Sequence, residues 1–277
     1  MVICGPIIKL ANGKEMPQVG LGTWLPGEVG PAVGWALQHG YRLIDTAACY
    51  NNEEEIGKTL RKFFDNGKIK REDVFITSKV NLHEVEEQLR DSLRKLQLDY
   101  VDLYLVHMPV CFNHDHSVKV EDTWKGMENV YEKGLTKAIG VSNFSIDQIE
   151  RIQKIATTMI HNVQVECHLY FPQFKLHDVC KHHNISLTAY APIGSPGRKN
   201  FVPPQKGKLV FSLQSLADEV VQKLCAKYHK SSAQIMLRYL LQRNIAIIPK
   251  SIKEDRIKEN FEVICLLFRK NAGICSN

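Results

Sequence analysis

Short apolar runs alternate along this chain with longer stretches in which apolar residues recur every three or four positions. The first pattern suits buried strands and the second suits helices with one covered face. Residues 41–45, 74–79, 101–106, 136–141, 162–166, 185–189 and 245–248 read as strands, and 19–21 as a shorter one. Between them, Val85, Leu89, Leu93 and Leu96 mark one helical stripe, and Trp124, Met127, Tyr131 and Leu135 another. Further helices are predicted over 29–39, from Glu53 to about residue 64, from Ser145, and over 176–183 and 232–243. Ser145 and the pair Asn51-Asn52 stand where helix caps belong. Residues 7–16 read as a β-hairpin, because Asn12-Gly13 suits a tight turn.

The result is a run of eight strand–helix units, with one extra helix expected over 213–228 before the last. Loops are expected over 109–120 and 192–212. The strands are too continuously apolar to be half exposed, as in a parallel sheet covered by helices. An α/β fold of the (β/α)8 barrel type follows, with the hairpin as a cap; such barrels typically have about 250 residues. A doubly wound sheet is the rival, but Gly20-Leu21-Gly22-Thr23-Trp24 lacks the third glycine of a dinucleotide-binding turn. One domain over residues 1–277 is expected.

Composition narrows the function. The chain has 44% hydrophobic and 24% charged residues, an ordinary soluble balance. Its net charge of +6 is spread without blocks of like charge, so no nucleic-acid partner is expected. No apolar run is long enough to span a membrane. The eight cysteines form no Cys-x-x-Cys pair, and several sit in apolar runs as reduced thiols do. That favours a reducing, cytoplasmic compartment. Cys180 lies among the histidines of 177–183, but no second ligand cluster accompanies it, so no metal site is expected.

In a barrel, chemistry belongs at the C-terminal tips of the strands. Here those tips hold Asp45, Lys79, His107, Asn143, Gln164 or Glu166, Tyr190, and Lys250 with Ser251. Buried strands have no use for ionisable tips unless the tips face a site.

Seven stretches, in order, resemble the aldo-keto reductase family and its aldose reductase-like members. They are Gly20-Leu-Gly-Thr-Trp24, Asp45-Thr-Ala-x-x-Tyr50, Ile76-Thr-Ser-Lys79 and Asp102-Leu-Tyr-Leu-Val-His107-x-Pro109. Lys137-Ala-Ile-Gly-Val-Ser-Asn-Phe144, Gln164-Val-Glu-Cys-His168 and Ile248-Pro-Lys-Ser251 complete the set. The resemblance implies a barrel reductase of aldehydes and ketones that uses NADPH/NADP+ without a Rossmann domain, as a cytosolic monomer. Asp45, Tyr50, Lys79 and His107 match the family's catalytic tetrad. A free phenol titrates near ~10, poorly matched to neutral pH. Lys79 is therefore expected to ease proton release from Tyr50, Asp45 to hold Lys79 charged, and neutral His107 to orient the carbonyl.

The resemblance extends to the cofactor. Gly22, Thr23, Trp24 and Asp45 line its place by analogy. Ser142, Asn143 and Gln164 match carboxamide contacts, and Tyr190 a ring-stacking position. Ile193 and Ser195 match a loop over the pyrophosphate. Lys250, Ser251, Ile252 and Arg256 match a 2′-phosphate site, and Asn260 an adenine contact. Trp24, Tyr50, His107 and Met108 face the substrate by the same analogy, with Met108 where many members have tryptophan. Residues 264–277 match neither the family's last helix nor its closing loop, which predicts a truncated or alternatively terminated tail. The alternative function is a catalytically weak or inactive NADPH-binding isoform with a regulatory role.

Overall fold

The hairpin is built as its turn residues dictate. In the computed structural model, which describes residues 5–24, 28–81, 84–110, 119–196 and 215–265, β1 (Ile7–Lys9) pairs antiparallel with β2 (Glu15–Pro17). Gly13, at φ +82°, donates its N–H to the Leu10 carbonyl across 2.8 Å, a left-handed position suited to glycine.

Among the described residues, the other strands form one parallel sheet of eight in chain order. They are β3 (Leu21–Gly22), β4 (Leu43–Asp45), β5 (Phe75–Val80), β6 (Leu103–Val106), β7 (Ile139–Ser142), β8 (Asn162–Glu166), β9 (Ser186–Tyr190) and β10 (Ala246–Ile247). The sheet closes on itself. Val19 bridges Ile247, Gly20 N–H donates to Ile247 at 2.8 Å, and Ile247 N–H donates to Gln18 at 2.8 Å. A Cβ on Gly22 would stand 2.6 Å from the Ile248 carbonyl oxygen, so this seam needs glycine.

The helices are α1 (Val29–Gln38), α2 (Glu53–Asp65), α3 (Val85–Leu96), α4 (Val120–Glu132), α5 (Ile146–Ile155), α6 (Phe174–His182), α7 (Glu219–Tyr228), α8 (Ser232–Gln242) and α9 (Glu254–Phe261). The expected extra helix is α7, shorter than predicted. It begins at an Asp218 cap whose side chain accepts the N–H groups of Val220 and Val221. Ser145, expected to open α5, forms a capping box with Gln148.

Strand alternation divides the core in two. Tyr104 and Val106 of β6 pack outward with the helix stripes, including Leu89, Leu93 and Trp124. Leu103 and Leu105 point into the barrel with Leu43, Phe75, Ala246 and the hairpin residues Ile8, Leu10 and Met16. Both faces of the strand are therefore covered, which accounts for its unbroken apolar run. Four of these inward residues begin their strands, so the hairpin plugs the N-terminal end and leaves the other for chemistry. Most of the loop expected over 109–120, residues 197–212 of the next, and tail residues 266–277 lie outside the described residues. No helix among the described residues is long and apolar enough to cross a membrane.

Candidate active site

The period of two that sends Phe75 into the barrel also sends Thr77 and Lys79 inward, two and four residues further up β5. Lys79 ends there fully buried. Its ammonium has three donors, and the structure supplies three acceptors. They are Asp45 Oδ1 at 2.5 Å, the Thr46 carbonyl at 2.8 Å and Tyr50 Oη at 3.4 Å. The side chains of Lys79 and Asp45 are 0% and 4% exposed. An unpaired charge at that depth would be heavily destabilising, so the pair stands or falls together. Burial pulls the Lys79 pKa down, but the charge and hydrogen bonds of Asp45 and Tyr50 outweigh it, and the ammonium is retained.

Asp45 is held from every side. Its second oxygen accepts Gln164 Nε2 at 2.7 Å from β8 across the barrel. Its main-chain carbonyl accepts the Thr23 hydroxyl at 2.8 Å. After Asp45 the chain enters a short 3₁₀ turn, Ala48–Tyr50, and leaves it through Asn51 at φ 54°. Asn52 was expected to cap α2, yet its side chain makes no cap hydrogen bond. It donates instead to the Thr23 carbonyl at 2.9 Å and accepts from the Thr46 hydroxyl at 2.7 Å, tying β3 to the turn that presents Tyr50.

Tyr50 lies edge-on to His107, ring centroids 5.6 Å apart. Burial raises the phenol's pKa, Lys79 lowers it and Asp45 raises it, and the sum stays above the ordinary value. The expectation that Lys79 eases proton release holds for that one influence; burial wins overall, so the resting group is a phenol. His107 is pushed down to about 3, first by burial and then by the Lys79 charge, which leaves a neutral imidazole at neutral pH.

A second group lies beside the first. Asn143, at the tip of β7 with φ 64°, donates to the His107 carbonyl at 3.0 Å and to Ser142 Oγ at 3.1 Å. The Tyr190 hydroxyl donates to Asn143 Oδ1 at 2.7 Å, fixing a half-buried ring at the end of β9. Gln164, expected near a carboxamide, has its amide nitrogen on Asp45. Glu166, the other candidate on β8, pairs with His168 at 3.4 Å. Met108 is half-buried beside His107, and Trp24 is exposed. Ile193 packs against the core, and Ser195 follows it at φ 50°.

The third group surrounds the start of α9. Lys250, Ile252, Lys253 and Arg256 are exposed, and the Ser251 hydroxyl accepts the Lys253 N–H at 3.1 Å. Although Lys250 is exposed, partial desolvation draws its pKa down. Asn260 is buried one turn beyond Arg256. Glu254 and Asp255 occupy the first turn of the helix, and Glu254 pairs with His39 at 3.1 Å.

Sequence reasoning missed the bracing roles of Thr23, expected to line the cofactor's place, of Asn52, expected as a helix cap, and of Thr46, for which nothing is expected. It also missed Cys49, whose Sγ lies 3.4 Å from His107 Nδ1. Its only signal was its place one residue before Tyr50.

Known proteins share this arrangement of strands. The sequence model described as Aldo/keto reductase family matches residues 18–272. Aldo-keto reductase family 1 member A1 of Gallus gallus is 42% identical over 278 residues, covering 92% of this chain and 83% of that relative. Aldo-keto reductase family 4 member C11 of Arabidopsis thaliana is 42% identical over 272 residues, with coverage of 92% and 83%. The Bombyx mori aldo-keto reductase solved with NADP superposes with a TM-score of 0.86 at 34% identity, covering 98% of this chain and 91% of that one. The aldose reductase of Schistosoma japonicum gives 0.84 at 37% identity, with coverage of 96% and 89%.

Proposed function

The chain belongs to the aldo/keto reductase family, and from that premise we propose that it reduces aldehydes and ketones to alcohols with NADPH, as an aldehyde reductase type of enzyme. The observation that carries this reading is the buried Lys79–Asp45 pair, whose ammonium also reaches Tyr50 Oη beside a neutral His107. NADPH, when bound, supplies the hydride to the carbonyl carbon. Tyr50 gives its proton to the carbonyl oxygen, and water restores it afterwards. The resting phenol is protonated, as a general acid must be. Lys79 acts as the phenolate forms, because a fixed cation stabilises developing charge most in a water-poor site. Asp45 and Gln164 hold that cation's position. His107 orients the carbonyl by hydrogen bonding.

The donor set fits the cofactor's chemistry. The half-buried Tyr190 ring, with Ser142 and Asn143 beside it, suits a flat ring bearing a carboxamide. The exposed cations Lys250, Lys253 and Arg256 at a helix start suit a phosphate. Gly22, Thr23, Trp24, Ile193, Ser195, Ser251, Ile252 and Asn260 complete the proposed contacts, and Met108 and Trp24 the substrate wall. All come from one chain, so a monomer suffices.

The test is NADPH oxidation by the purified protein against a panel of aldehydes and ketones, beside NADPH fluorescence titration. Turnover that disappears in Tyr50→Phe is expected. Equal rates in Tyr50→Phe would remove the proton-donor role. Stoichiometric NADPH binding without turnover would point instead to a cofactor-binding regulator.

A further inference from the structure

The contact between Cys49 and His107 bears on which nitrogen of the imidazole carries its hydrogen. Neutral histidine has one donor nitrogen and one acceptor nitrogen. A carbonyl oxygen can only be bound by the donor. Whatever partners Nδ1 therefore decides whether Nε2 is useful.

The backbone of His107 is held on both sides. Its N–H donates to Val80 at 2.8 Å, and its carbonyl accepts from Asn143 at 3.0 Å. Among the described residues, Tyr50 lies edge-on to the ring, and Cys49 Sγ stands 3.4 Å from Nδ1. Cys49 sits in the 3₁₀ turn Ala48–Tyr50, and Ala47 and Ala48 before it bring no polar side chain. A thiol is both a weak donor and a weak acceptor, whereas the basic lone pair of an imidazole nitrogen is a good acceptor. S–H to Nδ1 is therefore the favoured direction. Cys49 is exposed, but partial desolvation beside the ring still raises the thiol's pKa, so it keeps the hydrogen that this bond needs. With Nδ1 accepting, the ring hydrogen resides on Nε2.

We propose that Cys49 is a positioning residue of this site: its thiol donates to Nδ1 of His107 and so selects the tautomer that presents Nε2–H to the substrate oxygen. The proposal deepens the reductase reading and rests on it for its kinetic consequence. Were the hydrogen on Nδ1, Nε2 would face the carbonyl oxygen with a lone pair, and the two acceptors would repel.

The test uses the full chain labelled with ¹⁵N-histidine, with the His107 signals identified by their absence in His107→Gln. The parent is expected to show the Nε2–H tautomer. Cys49→Ala is expected to admit the Nδ1–H form, and Cys49→Ser, which keeps a donor, to restore the parent spectrum. In the same variants, loss of one neutral hydrogen bond predicts a fall on the order of 10-fold in kcat/KM for an aldehyde in Cys49→Ala, with NADPH affinity unchanged and most of the loss recovered in Cys49→Ser. A parent-like tautomer in Cys49→Ala overturns the proposal, whatever happens to the rate, because the residue would then act by packing alone. A parent enzyme that turns over no carbonyl would sink the reductase reading instead; the tautomer measurement would still decide the role of Cys49.

Discussion

The two ends of the barrel are made by the same strands and obey opposite rules. At the hairpin end, Leu43, Phe75, Leu103 and Leu105 meet Ile8, Leu10 and Met16 in an apolar cluster. Two to four residues further along β4 and β5, the same inward face carries Asp45 and Lys79, as deeply buried as the leucines below them. The apolar end is stabilised by area removed from water, additively and without direction. The polar end is held by hydrogen bonds that must all be present, since a charge left alone there is worse than none. One end can lose a side chain gradually; the other fails by single atoms.

Substitutions at each end should separate these rules. The largest effect is expected in Tyr50→Phe, which removes the proton and leaves the ring. A general acid of this kind predicts a loss on the order of 10³-fold in kcat, with little change in denaturation midpoint. Next is Lys79→Met, which strands Asp45: about 3–5 kcal/mol of stability should vanish in chemical denaturation. Adding Asp45→Asn should recover much of the stability and none of the activity. A fully stable Lys79→Met would contradict the paired description. At the other end, Leu105→Ala should cost about 3 kcal/mol of stability by leaving a cavity, while kcat in the folded fraction stays near the parent value.

Acid provides a gentler probe. Free histidine protonates near its ordinary 6.5, whereas folded His107 resists until about 3. The unfolded chain therefore binds the extra proton between those values. Stability linked to neutral His107 is fully present above 6.5 and is lost as pH falls toward 3, at about 1.4 kcal/mol per pH unit. His107→Gln should remove that slope from denaturation curves measured between neutral pH and pH 5. His177, lowered to about 4 mainly by burial, adds a slope of the same sign that the variant retains.

The smallest effect lies outside both ends, on the exposed start of α9. Arg256→Ala should raise the Michaelis constant for NADPH about 10-fold, the scale of one charge-assisted hydrogen bond, and leave that for NADH unchanged. Equal Michaelis constants for both cofactors in the parent would remove the phosphate-site assignment.

Local pattern made most of the fold legible, and it was least reliable at edges. The apolar run predicts a strand over 101–106; Val101 makes only an isolated parallel bridge to Thr136, and the continuous ladder begins at Leu103. The pattern puts Tyr190 just beyond its strand, yet it pairs with Glu166 inside the ladder. The pattern ends a strand at Lys79, but β5 continues to Val80, whose carbonyl accepts the His107 N–H. The chemical residues were visible as polar tips on apolar strands, since nothing else explains ionisable groups there. The grouping of Asp45, Lys79 and Tyr50 followed from the family resemblance; the braces around it were not visible. Gln164 reaches Asp45 across 119 positions of sequence, and Asn52 turned from a helix cap into a brace.

Order, period and residue type are properties of neighbouring positions, so the amino-acid text alone was enough for the strand–helix alternation, the polar tips and the family. Which acceptor each donor finds depends on how distant strands are brought together. Closure of the barrel settled that: it put Lys79 among three acceptors, let burial outweigh the cation at Tyr50, and set a thiol against the imidazole of His107.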